Sequence, residues 1–159
     1  MSAREYQSFG ALARHFEQVE ARLPLSLHEA LKESAELVEA TAKAEFGDYQ
    51  EPKGPYPGWA VLAPSTLIDK WRHGWAPPDN PLVRTHALQN SIQHEVGDFL
   101  GGNLFQAVIG STSDIMPYHE YGTSKMPSRP VLGPALFVNI EKIGVIIQKR
   151  IQKAFGGGV

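Results

Sequence analysis

Cysteine is absent from the 159 residues, which excludes a disulfide framework, a thiolate nucleophile and any sulfur-ligated metal site. An excess of charge is missing as well. Fifteen Lys and Arg stand against 17 Asp and Glu, giving a formal charge of -2 and a pI near 6.3. A protein that grips nucleic acid by broad phosphate neutralisation needs a cationic surplus, so this balance argues against one. No apolar run approaches membrane-spanning length, and residues 1–22 alternate charged with apolar residues where a secretory leader would hold an uncharged core. The expectation is a protein made in the cytoplasm, with no membrane segment.

Catalytic patterns are equally scarce. The histidines are His15, His28, His73, His86, His94 and His119, and none has a second His at metal-ligand spacing. His94-Glu95 and His119-Glu120 are adjacent pairs, which point to opposite faces of a strand and do not stack on a helix. Ser91 and Ser128 lack the glycines of a nucleophile elbow, and Glu120 and Asp114 have no facing carboxylate in view. Gly101-Gly102 and Gly156-Gly157-Gly158 lack the lysine and following helix of a phosphate loop. These patterns give no catalytic residue, no cofactor and no metal ligand, so a non-enzymatic role is expected.

The composition, 42% hydrophobic and 20% charged, suits one globular domain across residues 1–159. Phe9, Leu12, Phe16, Val19 and Leu23 recur at spacings of three and four, which predicts an amphipathic helix that stops or kinks at Pro24. Ser26 with Glu29 forms a capping-box pattern, so a second helix is expected through Leu27, Leu31, Ala35, Val38, Ala42 and Phe46 to a C-terminal Gly47. Helices thus fill 4–46, the stripe of the first serving either the core or a neighbouring subunit. Residues 47–81 are loop-rich, with a short helix over 65–73 capped by Ser65. Within them, Tyr56 and Trp59 are placed either to anchor a partner or to cover their own core. Ile92, His94 and Val96 alternate with polar residues, and Leu104 to Gly110 returns after a glycine turn, predicting an antiparallel hairpin over 92–110. With a short strand near 131, the sheet and loop span 84–132. The terminal helix covers 134–154, ahead of a flexible tail at 155–159. The fold class is α+β, a small antiparallel sheet packed by two N-terminal helices and one C-terminal helix.

The densest stretch is Tyr118 to Ala135, YHEYGTSKMPSRPVLGPA. Pro130 and Pro134 fix their own φ, restrict the residues before them and remove two N–H donors, which makes a stiff connection. Arg129, held between Ser128 and Pro130, suits a bidentate bond to a carboxylate or to backbone carbonyls, with Glu120 the candidate partner, as an internal clasp or across a subunit boundary. The cations Lys142, Lys149, Arg150 and Lys153 read as a solvated face near a helix C-terminus.

The order Leu82-Val83-Arg84-Thr85, Leu88, Ser91-Ile92, then Tyr118, Tyr121-Gly122-Thr123, Met126-Pro127, Arg129-Pro130, Leu132 and Pro134-Ala135 resembles the tail-completion or neck (head-tail joining) proteins of lambda-like long-tailed phages. Ala63 to Lys70 is similar to the related phage virion-morphogenesis proteins, so the likeness covers roughly 60–136. Two residues depart from the family pattern. His86 stands where glycine is usual, which brings a tight turn there into question, and Val131 replaces the usual Phe, implying a smaller pocket beneath the loop. The resemblance implies a structural virion component, a homo-oligomeric ring, commonly sixfold, at the head-proximal end of the tail that enables tail completion and head-tail joining. Its implied partners are copies of itself, the tail-tube or tail-terminator proteins and the head-completion proteins, with DNA only as passing cargo. On this reading Tyr118, Glu120, Tyr121, Lys125, Met126, Arg129, Pro130, Leu132, Tyr56 and Trp59 form the subunit and partner interface. The alternatives are a small hydrolase using His119 and Glu120, or a DNA-binding accessory factor.

Overall fold

One long helix carries the architecture. In the computed structural model, which describes residues 6–99 and 104–156, α1 runs unbroken from Phe9 to Ala44, 36 residues and roughly 54 Å. Ser8 caps it, its Oγ accepting from the Ala11 N–H at 3.2 Å. The helix therefore starts at Phe9, and residues 4–5 of the expected helical span lie outside the described residues. The predicted stop at Pro24 and restart at Ser26 do not occur. Pro24 removes one hydrogen bond to the Glu20 carbonyl, but both residues are exposed, so that carbonyl is open to water and the helix continues.

The remaining elements are arranged on α1. They are α2 (Pro64–Arg72), α3 (Ala87–Asn90), β1 (Ile92–Phe99), β2 (Leu104–Ser111), α4 (Met116–Tyr121) and α5 (Leu132–Ala154). The short helix α2 begins with Pro64 in its first turn and has no side-chain cap, so Ser65 sits inside the helix instead of capping it. β1 and β2 pair antiparallel, Ile92 opposite Ser111 through Phe99 opposite Leu104, so the fold is mixed α+β as expected. The glycine turn between them, Gly101 to Asn103, lies outside the described residues, as does the tail from Gly157 to Val159.

Alternation sets which sheet face is covered. Ile92, His94 and Val96 share a face with their cross-strand partners Ile109 and Ala107 and pack towards α1, while Gln93, Glu95, Gln106 and Val108 are exposed. The Glu39 carboxylate on α1 bonds both Lys43 and the His94 imidazole of β1, tying the helix to the sheet. The Lys43 bond, followed by the His94 bond, holds Glu39 below its ordinary value of 4.5. A depressed carboxylate stabilises the fold above that value, and the contribution is lost as pH falls through the lower folded value. Glu39→Gln is therefore expected to be less stable than the native chain at neutral pH, with the gap in urea midpoint closing under acid. A gap that stays constant down to pH ~3 would exclude this linkage.

α5 lies along α1. Asn139 Nδ2 donates to Thr41 Oγ1 and to the Ala135 carbonyl, both at 2.8 Å, and Arg150 Nη2 reaches Glu33 at 2.9 Å. These pairs run in opposite directions along the two helices, so they are antiparallel. Ala30, Ala35 and Ala42 on α1 are buried without bulk, which admits the close approach. A core of Val38, Ala42, Phe46, Trp59, Val83, Leu88, Ile92, Met116, Val131 and Ala135 fills the junction of helix, sheet and loops.

The short strand expected near 131 is not formed. Val131 is fully buried at the N-terminal boundary of α5, and its N–H is already taken by a carboxylate, leaving no donor for a ladder.

Candidate functional site

The segment from α4 to α5 is built as a closed frame. Pro117 opens α4 in its first turn, and Gly122 ends it at φ 75°, where a Cβ would come within 2.8 Å of the Ser128 N. Thr123 and Met126 close a tight turn, the Thr123 N–H donating to the Met126 carbonyl at 2.8 Å. The chain then doubles back, with the Arg129 N–H donating to the His119 carbonyl at 2.6 Å.

Glu120 locks this frame to the last helix. Its Oε2 accepts from the N–H groups of Val131 at 2.8 Å and Leu132 at 3.1 Å, and its Oε1 from Gly133 at 2.9 Å. Val131, at the cap position, supplies no side-chain acceptor, so a carboxylate from α4 satisfies the first N–H groups of α5 and meets the positive end of its dipole. The helix accordingly begins at Leu132, two residues before Pro134.

Arg129 is occupied elsewhere. Only 5% exposed, it donates from Nε and Nη2 to the Ala60 carbonyl at 3.2 and 2.8 Å, and from Nη2 to Val61 at 3.3 Å. The expected internal Glu120–Arg129 clasp is thus replaced by two separate sets of bonds to backbone. A planar fork fits two successive carbonyls, whereas Glu120 finds three charge-assisted donors at the helix end. Removal of Arg129 therefore acts first on the fold, since two carbonyls lose their donors.

The loop 47–63 is sewn to the same frame. Trp59 is 6% exposed, and its Nε1 donates to the Pro130 carbonyl at 3.0 Å. Lys53 and Tyr56 form a tight turn, and the Tyr56 ring meets Phe137 of α5 edge-on at 6.2 Å. Added Cβ atoms at Gly54 and Gly133 would come within 2.3 Å of Phe137 and 2.4 Å of Tyr56, so both glycines are places where rings lie against backbone. Tyr49 accepts from the Leu62 N–H at 3.0 Å and donates to Asp79.

Beside this frame lies a cleft of about 540 Å³ lined from residues 61–70, residues 80–88 and the segment 115–129 that contains α4. Lys70 at its base is 2% exposed, with its ammonium on the Asn80 carbonyl, and burial lowers its pKa. Burial likewise lowers Arg129, and it lowers His119, which the Arg129 and Arg84 charges depress further. Arg84 at the mouth stacks on Trp75 at 4.7 Å and pairs with Asp69 at 3.3 Å. His86 takes the left-handed conformation, φ 59°, that glycine favours. The tight turn at that position is therefore present, its Nδ1 within 2.9 Å of Gln89 Oε1.

The expected interface residues divide by burial. Trp59, Arg129 and Pro130 are buried within the chain, while Glu120, Tyr56, Met126 and Leu132 are half-buried. Tyr118, Tyr121 and Lys125 are exposed, Tyr121 at 83%. Met126 and Lys125 line the cleft together with His119. Glu120 does not, so His119 and Glu120 do not converge on a common reacting point. Lys70 and Asn80 were not among the expected residues. The available signal for Lys70 was its place one turn after Leu67 and beside Trp71 in a nine-residue amphipathic helix, where a lysine is ordinarily solvated. Among the described residues no three His, Asp or Glu stand close enough to hold a metal ion, and no helix is long and apolar enough to cross a membrane. Comparison with protein-family models, with curated proteins and with solved structures finds no match.

Proposed function

We propose that this chain is a structural virion protein of the phage tail neck, which associates with copies of itself into a ring and enables tail completion and head-tail joining. The observation that carries the reading is the uncovered apolar surface of the two long helices. On α5, Leu136, Val138, Ile140 and Val145 are 43–56% exposed although Ala135, Asn139 and Ala154 of the same helix are buried on α1. A helix that is apolar on both sides is normally covered on both sides. On α1, Phe9 is 91% exposed, Phe16 56% and Leu25 64%. Exposed apolar area of this kind marks an interaction surface. Two different patches suit heterologous contacts, which close into rings when the rotation between copies permits.

The ordered likeness of residues 82–135 to phage neck proteins supplies the setting: a ring, of the kind commonly sixfold in that family, at the head-proximal end of the tail. Tail-tube or tail-terminator proteins and head-completion proteins are its further partners, and DNA is passing cargo. The frame held by Glu120, Arg129 and Trp59 supports a role in keeping shape, since a pre-ordered surface loses little entropy on association.

The test is mass in solution and tail assembly. The native chain is expected to form a discrete oligomer by size-exclusion with light scattering. Ile140→Asp, at a 56% exposed position, is expected to leave folding within about 1 kcal/mol of native, shift the oligomer to monomer and block tail joining. A native chain that is monomeric at every concentration and never enters tails would overturn the proposal.

A further inference from the structure

Two uncovered helix sides of this chain fit each other in charge and shape. On α1, Arg14, Gln18, Ala21 and Leu25 recur at spacings of four and three, so they share one side with Arg22 at its edge, and all five are exposed. On α5, Ile140, Glu141, Gly144 and Gln148 share a side in the same way, and all four are exposed. The first side is cationic and the second anionic. Arg14, Arg22 and Glu141 have no ion-pair partner among the described residues. By the same helical period, Glu20 of α1 and Lys142 and Lys149 of α5 fall on other sides, so they do not cancel this complementarity.

Nothing inside the chain accounts for glycine at position 144. It stands within α5, where glycine is destabilising relative to alanine, and its φ is not positive. A Cβ built there would meet no atom within 4 Å. A missing side chain on an exposed helix side lets a second helix come close, since the distance between packed helices follows the side chains at their contact. Ala21 is the small residue on the α1 side. Each small residue has a large apolar one four positions away, Leu25 after Ala21 and Ile140 before Gly144. Laid antiparallel, the two sides match: Ala21 meets Gly144, Leu25 meets Ile140, and Arg22 comes within reach of Glu141. Rotational symmetry supplies that direction. A turn of about 60° between copies of a sixfold ring leaves α1 of one copy running broadly against α5 of the next, as it does against its own α5.

We propose that the Leu25 side of α1 docks on the Ile140–Gly144 side of α5 in a second copy of this chain, with Arg22 paired to Glu141 across the boundary. The inference rests on the ring reading and names the contact through which copies join.

Charge reversal tests it. Arg22→Glu and Glu141→Arg are each expected to raise the protein concentration at half-assembly at least about fivefold by size-exclusion with light scattering, and the double variant to return it to within about twofold of native. Both positions are exposed, so Tm is expected to stay within about 2 °C of native. Gly144→Leu separates assembly from folding. Its side chain enters open space and favours the helix, so Tm is expected to be no lower than native while the oligomer is lost. A native oligomer that survives both single reversals, a double variant no better than the singles, or a Gly144→Leu chain that assembles like native would overturn this contact and leave the ring reading standing. A native chain that is monomeric at every concentration would overturn both.

Discussion

Glu120→Ala is expected to lower the stability of the chain by about 3 kcal/mol, a loss out of proportion to a half-buried acid on a six-residue helix. The carboxylate receives three N–H groups from the start of α5, and hydrogen bonds to a charged acceptor contribute roughly 1.5–3 kcal/mol each when counted singly. They share one side chain, so their effects do not add in full. Removing it exposes three donors to a space that α4 and the core restrict, and it withdraws a negative charge from the helix N-terminus. Glu120→Gln keeps an acceptor for at most part of this set and loses the charge, so about half the deficit is expected to remain. Urea denaturation checks both variants, and hydrogen exchange at Val131 to Gly133 should accelerate more than exchange in the middle of α5. A Glu120→Ala chain within ~0.5 kcal/mol of native would mean that water replaces the carboxylate at no cost and that the frame is not held from this point.

Trp59→Ala is expected to cost about 3–5 kcal/mol, the range for deleting a large aromatic side chain from a packed interior. Trp59 is 6% exposed, lies in the same core as Val83, Met116, Val131 and Ala135, and its indole N–H is bonded to the Pro130 carbonyl. Its removal leaves a cavity beneath the frame and an unpaired carbonyl in it. Trp59→Phe keeps much of the apolar bulk and loses the bond, so roughly 1–2 kcal/mol is expected. The two variants separate packing from hydrogen bonding. The alanine variant should also become susceptible to proteolysis within residues 47–63, because the loop loses its anchor while α1 and the sheet remain. Protease resistance equal to the native chain would show that the Lys53–Tyr56 turn and its contact with Phe137 hold the loop alone.

Together these variants measure how rigid the surface around Tyr118 and Tyr121 is. If the frame loosens while the apolar faces of α1 and α5 remain, the proposed association is expected to persist with weaker affinity, because ordering entropy is then lost on binding. Ile140→Asp acts in the opposite way, leaving the frame intact and removing the contact proposed for α5.

Periodicity and alternation determined a good deal of this protein by themselves. The hairpin face carrying Ile92, His94 and Val96, a long C-terminal helix with Pro134 in its first turn and the mixed α+β class all follow from local rules, because side-chain direction on a strand and φ at proline are set by covalent geometry. What the tertiary structure decided depends on partners distant in the chain. Pro24 was tolerated in α1 because the carbonyl it orphans faces water. Val131 was denied to a strand because Glu120, eleven residues away, holds its N–H. Arg129 turned from Glu120 to the carbonyls of Ala60 and Val61 because the loop 47–63 folded over it. Lys70 and Asn80 came together on the wall of a cleft only once α2 was bonded to the loop that follows it. Local sequence sets each residue's options, whereas competition among donors and acceptors for long-range partners chooses between them, and that competition is settled only when the chain is folded.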